Sequence, residues 1–226
     1  MLALRSAFRR PFKRNHQRDL HILLVGSTAS SVSGVESLCQ EMFHPDRGSI
    51  TQRITIVILA PCEPGVRLQM LMKTLSFGSR IFYVNGSCFR EEDLLLARAD
   101  TADACFVLCD KYSNHSGQED KLSAMRALLV EDFNPQLETF VQVTSSSSQR
   151  MLKGSAVNHL FCVDDIHQAI LAKSILCPGF STLFGNLVCS VTKPTNGHQK
   201  MRPWETEYND GCQLEVYVVK EREILV

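Results

Sequence analysis

Two hydrophobic periods alternate along the chain. Residues 22–25, ILLV, form a continuous apolar run, and beyond them Val32, Val35, Leu38, Cys39 and Met42 recur at three- and four-residue spacing. The first pattern predicts a strand buried on both faces, the second an amphipathic helix lying beside it. The couple then repeats. RITIVILAP (53–61), rich in β-branched residues and stopped by Pro61, precedes helical VRLQMLMKTL (66–75), and RIFYVNGS (80–87), closed by Asn-Gly, precedes REEDLLLARA (90–99). Acids in the first turn of that last helix suit the positive end of its dipole. ACFVLCD (104–110), QEDKLSAMRALLVEDF (118–133), ETFVQVT (138–144), SSSQRMLKG (146–154) and HLFCVDD (159–165) continue strand, helix, strand, helix, strand, with Gly154 placed to cap its helix.

Strands apolar on both faces and alternating with helices imply an α/β fold: a doubly wound, Rossmann-like parallel sheet with helices on both faces. After it, IHQAILAKSIL (166–176), a break at Cys177-Pro178-Gly179, and FSTLFGNLVCSV (180–191) predict a crossover helix-turn-helix. The division expected is a basic leader (1–20), the Rossmann-like core (21–165), the crossover pair (166–191) and the start of a C-terminal subdomain (192–226). That last part is a polar stretch followed by one strand-like run, LEVYVV (214–219), and reads as a segment cut from a longer protein. The first crossover helix can cover its own sheet. The second lies beyond the covering set, so Leu183, Phe184, Leu187 and Val188 are expected to be buried against a partner.

A dinucleotide site on this fold needs glycines after the first strand and an acid at the end of the second. The first turn reads Gly26-Ser27-Thr28-Ala29-Ser30-Ser31, with Thr28 and Ser31 where the second and third glycines belong, and the second strand ends Leu59-Ala60-Pro61-Cys62 with no acid. Ser30, Ser31 or Ser33 could cap the following helix or hold an anion. A Rossmann-type oxidoreductase or nucleotide-binding protein with a degenerate fingerprint therefore remains the alternative to a non-enzymatic domain. The sequence carries no G-x-S-x-G elbow, no phosphate-binding G-x-x-x-x-G-K-[ST] loop and no H-E-x-x-H pair, and the expectation is no catalysis and no organic cofactor.

Charge adds an asymmetry. Residues 1–18 carry Arg5, Arg9, Arg10, Lys13, Arg14 and Arg18 without an acid, so an overall balance of 24 basic and 24 acidic residues hides a basic leader on an acidic body. Nothing in that body suggests nucleic acid as a partner. The leader reads either as a segment lying against anionic headgroups or as an organellar transit peptide. No window approaches the roughly 18 consecutive apolar residues that span a bilayer. The nine cysteines, without a C-x-x-C pair, are expected to be buried free thiols rather than a zinc site or a disulfide framework.

Residues 80–126, RIFYVNGSCFREEDLLLARADTADACFVLCDKYSNHSGQEDKLSAMR, resemble the first RCK (regulator of potassium conductance) domain in the gating ring of Slo-family potassium channels. ILAPCEPGVRLQ and VEDFNPQLETFVQV look closer to the sodium-activated branch, TADACFVLCDKY to the calcium-activated one, and AILAKSILCPGFSTLFGNLVCS matches the family's crossover. The resemblance implies a regulatory domain on the cytoplasmic side of a membrane, working by ligand-biased movement. It also implies a second RCK domain and the pore of the same channel as partners, in a homotetrameric gating ring. The leader would then join the last pore helix to that ring. A regulatory cation, calcium or sodium, is implied as well. In calcium-activated members the carboxylate matching Asp120 contributes to sensing, with Glu119, Asp110 and the carbonyls of 113–117 as available helpers, while the family's other acid in this loop falls at His115. Calcium wants six to eight oxygens. Read from the residues alone, Glu119 and Asp120 are equally first-turn acids favoured by the helix dipole.

Overall fold

The computed structural model describes residues 8–14, 20–27, 32–44, 53–74, 80–110, 112–152, 157–190, 202–205 and 207. Six parallel strands run β1 (Leu20–Gly26), β2 (Ile54–Ala60), β3 (Ile81–Asn85), β4 (Ala104–Leu108), β5 (Glu138–Val143) and β6 (His159–Cys162), in the spatial order β3-β2-β1-β4-β5-β6. The order reverses between β1 and β4, as a doubly wound sheet requires. Register is set by stacked apolar residues: Ile22 lies beside Ile56 and Ala104, and Leu24 beside Ile58 and Phe106.

Alternation along β1 and β2 sends consecutive side chains to opposite faces, which is why both strands read as unbroken apolar runs. Leu23, Val25, Val57 and Leu59 join one core with Leu94 of α3 (Glu91–Leu96), Ala127 and Val130 of α4 (Ser116–Phe133) and Leu152 of α5 (Ser146–Leu152). Ile22, Leu24, Ile56 and Ile58 join the other with Val35 and Cys39 of α1 (Val32–Met42) and Leu68 and Leu71 of α2 (Val66–Lys73). Beyond β6 the chain continues as α6 (Val163–Leu176) and α7 (Phe180–Val188).

Three sequence expectations need correction. The helix expected over 90–99 ends at Leu96, and a 3₁₀ turn, Ala99–Thr101, follows after Arg98 takes a left-handed conformation, φ 57°. The sixth strand stops at Cys162 rather than Asp165, because Val163, Asp164 and Asp165 form the first turn of α6 with both acids at its positive end. The leader is not merely a linker: Phe12 is buried in the first core, and residues 8–14 lie along β3 and α3. Gly154 and the strand-like run at 214–219 lie outside the described residues.

Candidate functional site

In a doubly wound fold the ligand crevice opens at the C-terminal ends of the strands where their order reverses, here between β1 and β4. Gly26 closes β1 with φ 116°, and a Cβ built on it would meet the Leu108 carbonyl oxygen at 2.0 Å. The glycine is thus demanded by the neighbouring strand, not by a pyrophosphate. The next residue, Ser27, pairs its hydroxyl with the Glu119 carboxylate and accepts a hydrogen bond from Arg126 at 3.3 Å. Side chains of α4 therefore cross the crevice and tie its two sides together. Ser30 and Ser31 lie outside the described residues, as does the side chain of Ser33.

Glu119 and Asp120, expected as a possible cation contact, serve two different connections. Asp120 turns inward from α4, is 1% exposed, and accepts the backbone N–H groups of Thr144 and Ser145 at 2.7 and 3.0 Å. It fastens the β5–α5 turn to α4, and each carboxylate oxygen already carries one charge-assisted bond. Glu119 faces Ser27 instead. Asp110 is used within its own turn, where its carboxylate accepts the Tyr112 N–H at 3.0 Å and its carbonyl the Ser113 N–H at 3.2 Å. His115 precedes α4, its carbonyl accepting the Gln118 and Glu119 N–H groups at 2.9 and 3.1 Å. Among the described residues no three ligand-type side chains gather into a metal site. That arrangement does not fit the oxygen shell calcium requires.

The thiols offer no activated nucleophile at these positions. Cys39, Cys88, Cys105, Cys109 and Cys162 are buried, and burial pushes the first four up, Cys39 to about 12. A protonated, enclosed thiol is a packing residue. Cys62, Cys177 and Cys189 are exposed, against expectation, because they sit after a strand end, in the interhelix turn and after α7.

The crossover pair is the described region with the greatest unmet need for contact. Pro178 and Gly179 make the turn, with Gly179 at φ 88° and the Phe180 N–H bonded to the Cys177 carbonyl at 3.0 Å. Neither helix contains a buried residue. On α7, Leu183, Leu187 and Val188 are at least half exposed and Phe184 is half-buried, stacking on Phe180. Sequence reasoning missed the first helix: α6 does not cover its own sheet, and Leu171, Ile175 and Leu176 are exposed, Ile175 by 83%. That residues 166–176 form a helix was legible, but its exposure beyond β6 was not. The end of the pair is anchored by Glu41 of α1, whose carboxylate accepts the Ser190 N–H at 3.1 Å.

The uncovered part of the sheet matches this need in character. Phe106, Phe140 and His159 stack face to face across β4, β5 and β6, with centroids 4.8 and 4.4 Å apart, and His159 and Phe161 are exposed. Helices α1 and α2 pack over the other half of this face, against β1, β2 and β3.

Comparison with known proteins bears on this arrangement directly. The family model described as the calcium-activated potassium channel slowpoke-like RCK domain matches residues 17–141, and that of the calcium-activated BK potassium channel alpha subunit matches 158–224. The human potassium channel subfamily T member 1 is 26% identical over 204 residues, covering 90% of this chain and 16% of that protein. The Caenorhabditis elegans calcium-activated potassium channel slo-1 is 24% identical over 223 residues, covering 96% of this chain and 19% of that protein. The chain thus spans less than a fifth of the length of either relative. Among solved structures, the human SLO3 gating ring superposes with a TM-score of 0.63 at 17% identity, covering 86% of this chain and 32% of that one, which supports the shared fold.

Proposed function

The chain belongs to the family of slowpoke-like RCK domains of calcium-activated potassium channels, and from that premise we propose that it is a non-catalytic regulatory module of a potassium-channel gating ring. It acts on the cytoplasmic side of a membrane by changing its contacts with a second RCK domain and, through its leader, with a pore. The observation that carries the reading is the α6–α7 pair, whose Leu171, Ile175, Leu176, Leu183, Leu187 and Val188 are exposed while the described strands and their helices close a core. An apolar face of this size is buried by a partner in a functioning assembly. The blocked crevice at Gly26, Ser27, Glu119 and Arg126 supports the same reading against an oxidoreductase.

No step of this proposal passes through a cation. Asp120 acts as a structural latch between α4 and the β5–α5 turn, and the ligand that biases the module is left to its partner domain. No helix of the described residues is long and apolar enough to cross a membrane.

The test is co-purification of the chain with the gating-ring region of a slowpoke-family channel lacking its own first RCK domain. A stoichiometric complex is expected, lost in the double variant Leu183→Ser, Leu187→Ser. A chain that stays monomeric beside that region, or one whose melting rises on addition of NADH or ATP, would overturn the reading.

A further inference from the structure

The leader precedes β1 in the chain, and its described residues first fasten to β3 and α3 before they reach the start of β1 at His21. The carbonyl of Phe8 accepts the Asn85 N–H at 3.0 Å on the outer edge of β3, and the Phe8 ring meets Tyr83 edge-on at 5.9 Å. Arg9 pairs with Asp93 of α3 at 2.9 Å. The Phe12 N–H donates to the Leu96 carbonyl at 2.8 Å, while its ring, 5% exposed, lies 4.6 Å from His21 and 5.3 Å from Phe82. Arg14 completes the row, donating to the Thr101 carbonyl at 3.1 Å and pairing with Asp103 at 3.0 Å.

Asp93 makes this more than a surface contact. It is 1% exposed, and its second carboxylate oxygen accepts the Ser87 N–H at 2.9 Å. The Gly86 Cα lies so close that an added Cβ would stand 2.7 Å from the Asp93 carboxyl carbon. One carboxylate thus joins the leader, α3 and the Gly86–Ser87 turn after β3. A buried carboxylate with one charge partner depends on that partner more than an exposed pair does. Arg10, Pro11 and Lys13 between these anchors face solvent, so the segment is a strap held at intervals.

We propose that residues 8–14 form a clasp whose Arg9–Asp93 pair delivers a displacement of the leader to the β3–α3 corner before it reaches β1 through Phe12 and Arg14. The clasp is a property of contacts within this chain, so it stands or falls independently of the channel reading. Its parts have separate tasks: Phe12 supplies burial, the Phe8 carbonyl occupies the open edge of β3, the Arg9–Asp93 pair holds the strap to α3, and Arg14 ties its end to Asp103, whose carboxylate also accepts the His21 N–H at 2.7 Å.

Site-resolved amide hydrogen exchange on the full chain tests this. In Arg9→Gln, the Asn85 and Ser87 amides should exchange roughly threefold to tenfold faster, with Leu23, Leu24 and Val25 of β1 unchanged. Phe12→Leu, which keeps the apolar volume and loses the ring contacts, should release the Phe12 and Asn85 amides in the same pattern. Combining Arg9→Gln with Asp93→Asn should cost less than the two changes added separately, because they remove one shared interaction. Unchanged Asn85 and Ser87 amides, an equal acceleration in β1, or additive effects would overturn the proposal.

Discussion

The sheet and the α6–α7 pair both carry apolar residues in regular patterns and end in opposite states. Leu23, Leu24, Ile56 and Ile58 are fully enclosed by helices from both faces, whereas Ile175 and Leu176 at the end of α6 are at least 80% exposed. What separates them is connectivity. Each strand from β1 to β5 is followed by a helix that returns over the sheet, and right-handed crossovers deliver those helices to both faces. Among the described residues β6 is the last strand at its edge, so α6 has no next strand there to return to and carries its apolar residues outward. The difference teaches that hydrophobic content predicts burial only when topology supplies the covering surface.

The largest effect that sharpens this contrast is expected in the sheet. Leu24→Ala removes a side chain packed from every side and should cost about 2–5 kcal/mol in denaturant unfolding. A loss under about 1 kcal/mol would show that the enclosed half is looser than its packing implies. Next comes the latch of the β5–α5 turn: Asp120→Ala leaves the Thr144 and Ser145 N–H groups without their acceptor and should cost about 2–3 kcal/mol. The same variant should leave co-purification with the gating-ring region intact once the protein is folded, which separates a latch from an interface residue.

A pH effect of similar size is expected from His21. Burial first, and then Arg14, push its imidazole down to about 4 from 6.5, and both ring nitrogens are enclosed without a hydrogen-bond partner. The folded state therefore holds the neutral ring while the unfolded chain takes up a proton below 6.5. The His21 contribution is fully present above pH 6.5 and is lost as pH falls toward 4, by about 2 kcal/mol between pH 7 and pH 5. Asp103 and Asp100 oppose the shift and Arg98 adds to it, so denaturation at both pH values in His21→Leu isolates the histidine from its neighbours. A slope unchanged in that variant would assign the pH dependence elsewhere.

The smallest effect lies on the other side of the contrast. Leu187→Ala should change the stability of the isolated chain by no more than about 0.5 kcal/mol, while weakening its complex with the gating-ring region. A loss comparable to Leu24→Ala would mean that α7 is already packed in the free chain, and the comparison would collapse.

The sheet was readable from sequence because its signal is local: runs such as ILLV and ITIVILA place six strands to within a few residues. The missing fingerprint was readable too, since Thr28, Ser31 and Pro61 stand where the chemistry needs other residues. The functions of individual acids were not. Asp93 and Asp120 look alike as acids near helix starts, and both proved to be buried acceptors of backbone N–H groups, Asp93 from the turn that leads into its own helix and Asp120 from the β5–α5 turn beyond its own. Arg9 and Phe12 sat in a segment whose charge suggested anionic headgroups or a transit peptide, and only the fold brings Asp93 and Leu96 beside them. The exposure of Leu183 and Leu187 followed from counting helices against sheet faces, whereas that of Leu171 and Ile175 needed the position of β6 at the edge.

The contact between Gly26 and the Leu108 carbonyl also bears on how far a glycine can be read as a fingerprint. Any side chain at that position strikes the adjacent strand, so packing alone demands the glycine whatever the turn holds. Ser27 meets Glu119 and Arg126 right beside it. A residue that looks like the remnant of a ligand loop is here accounted for by one clash between neighbouring strands.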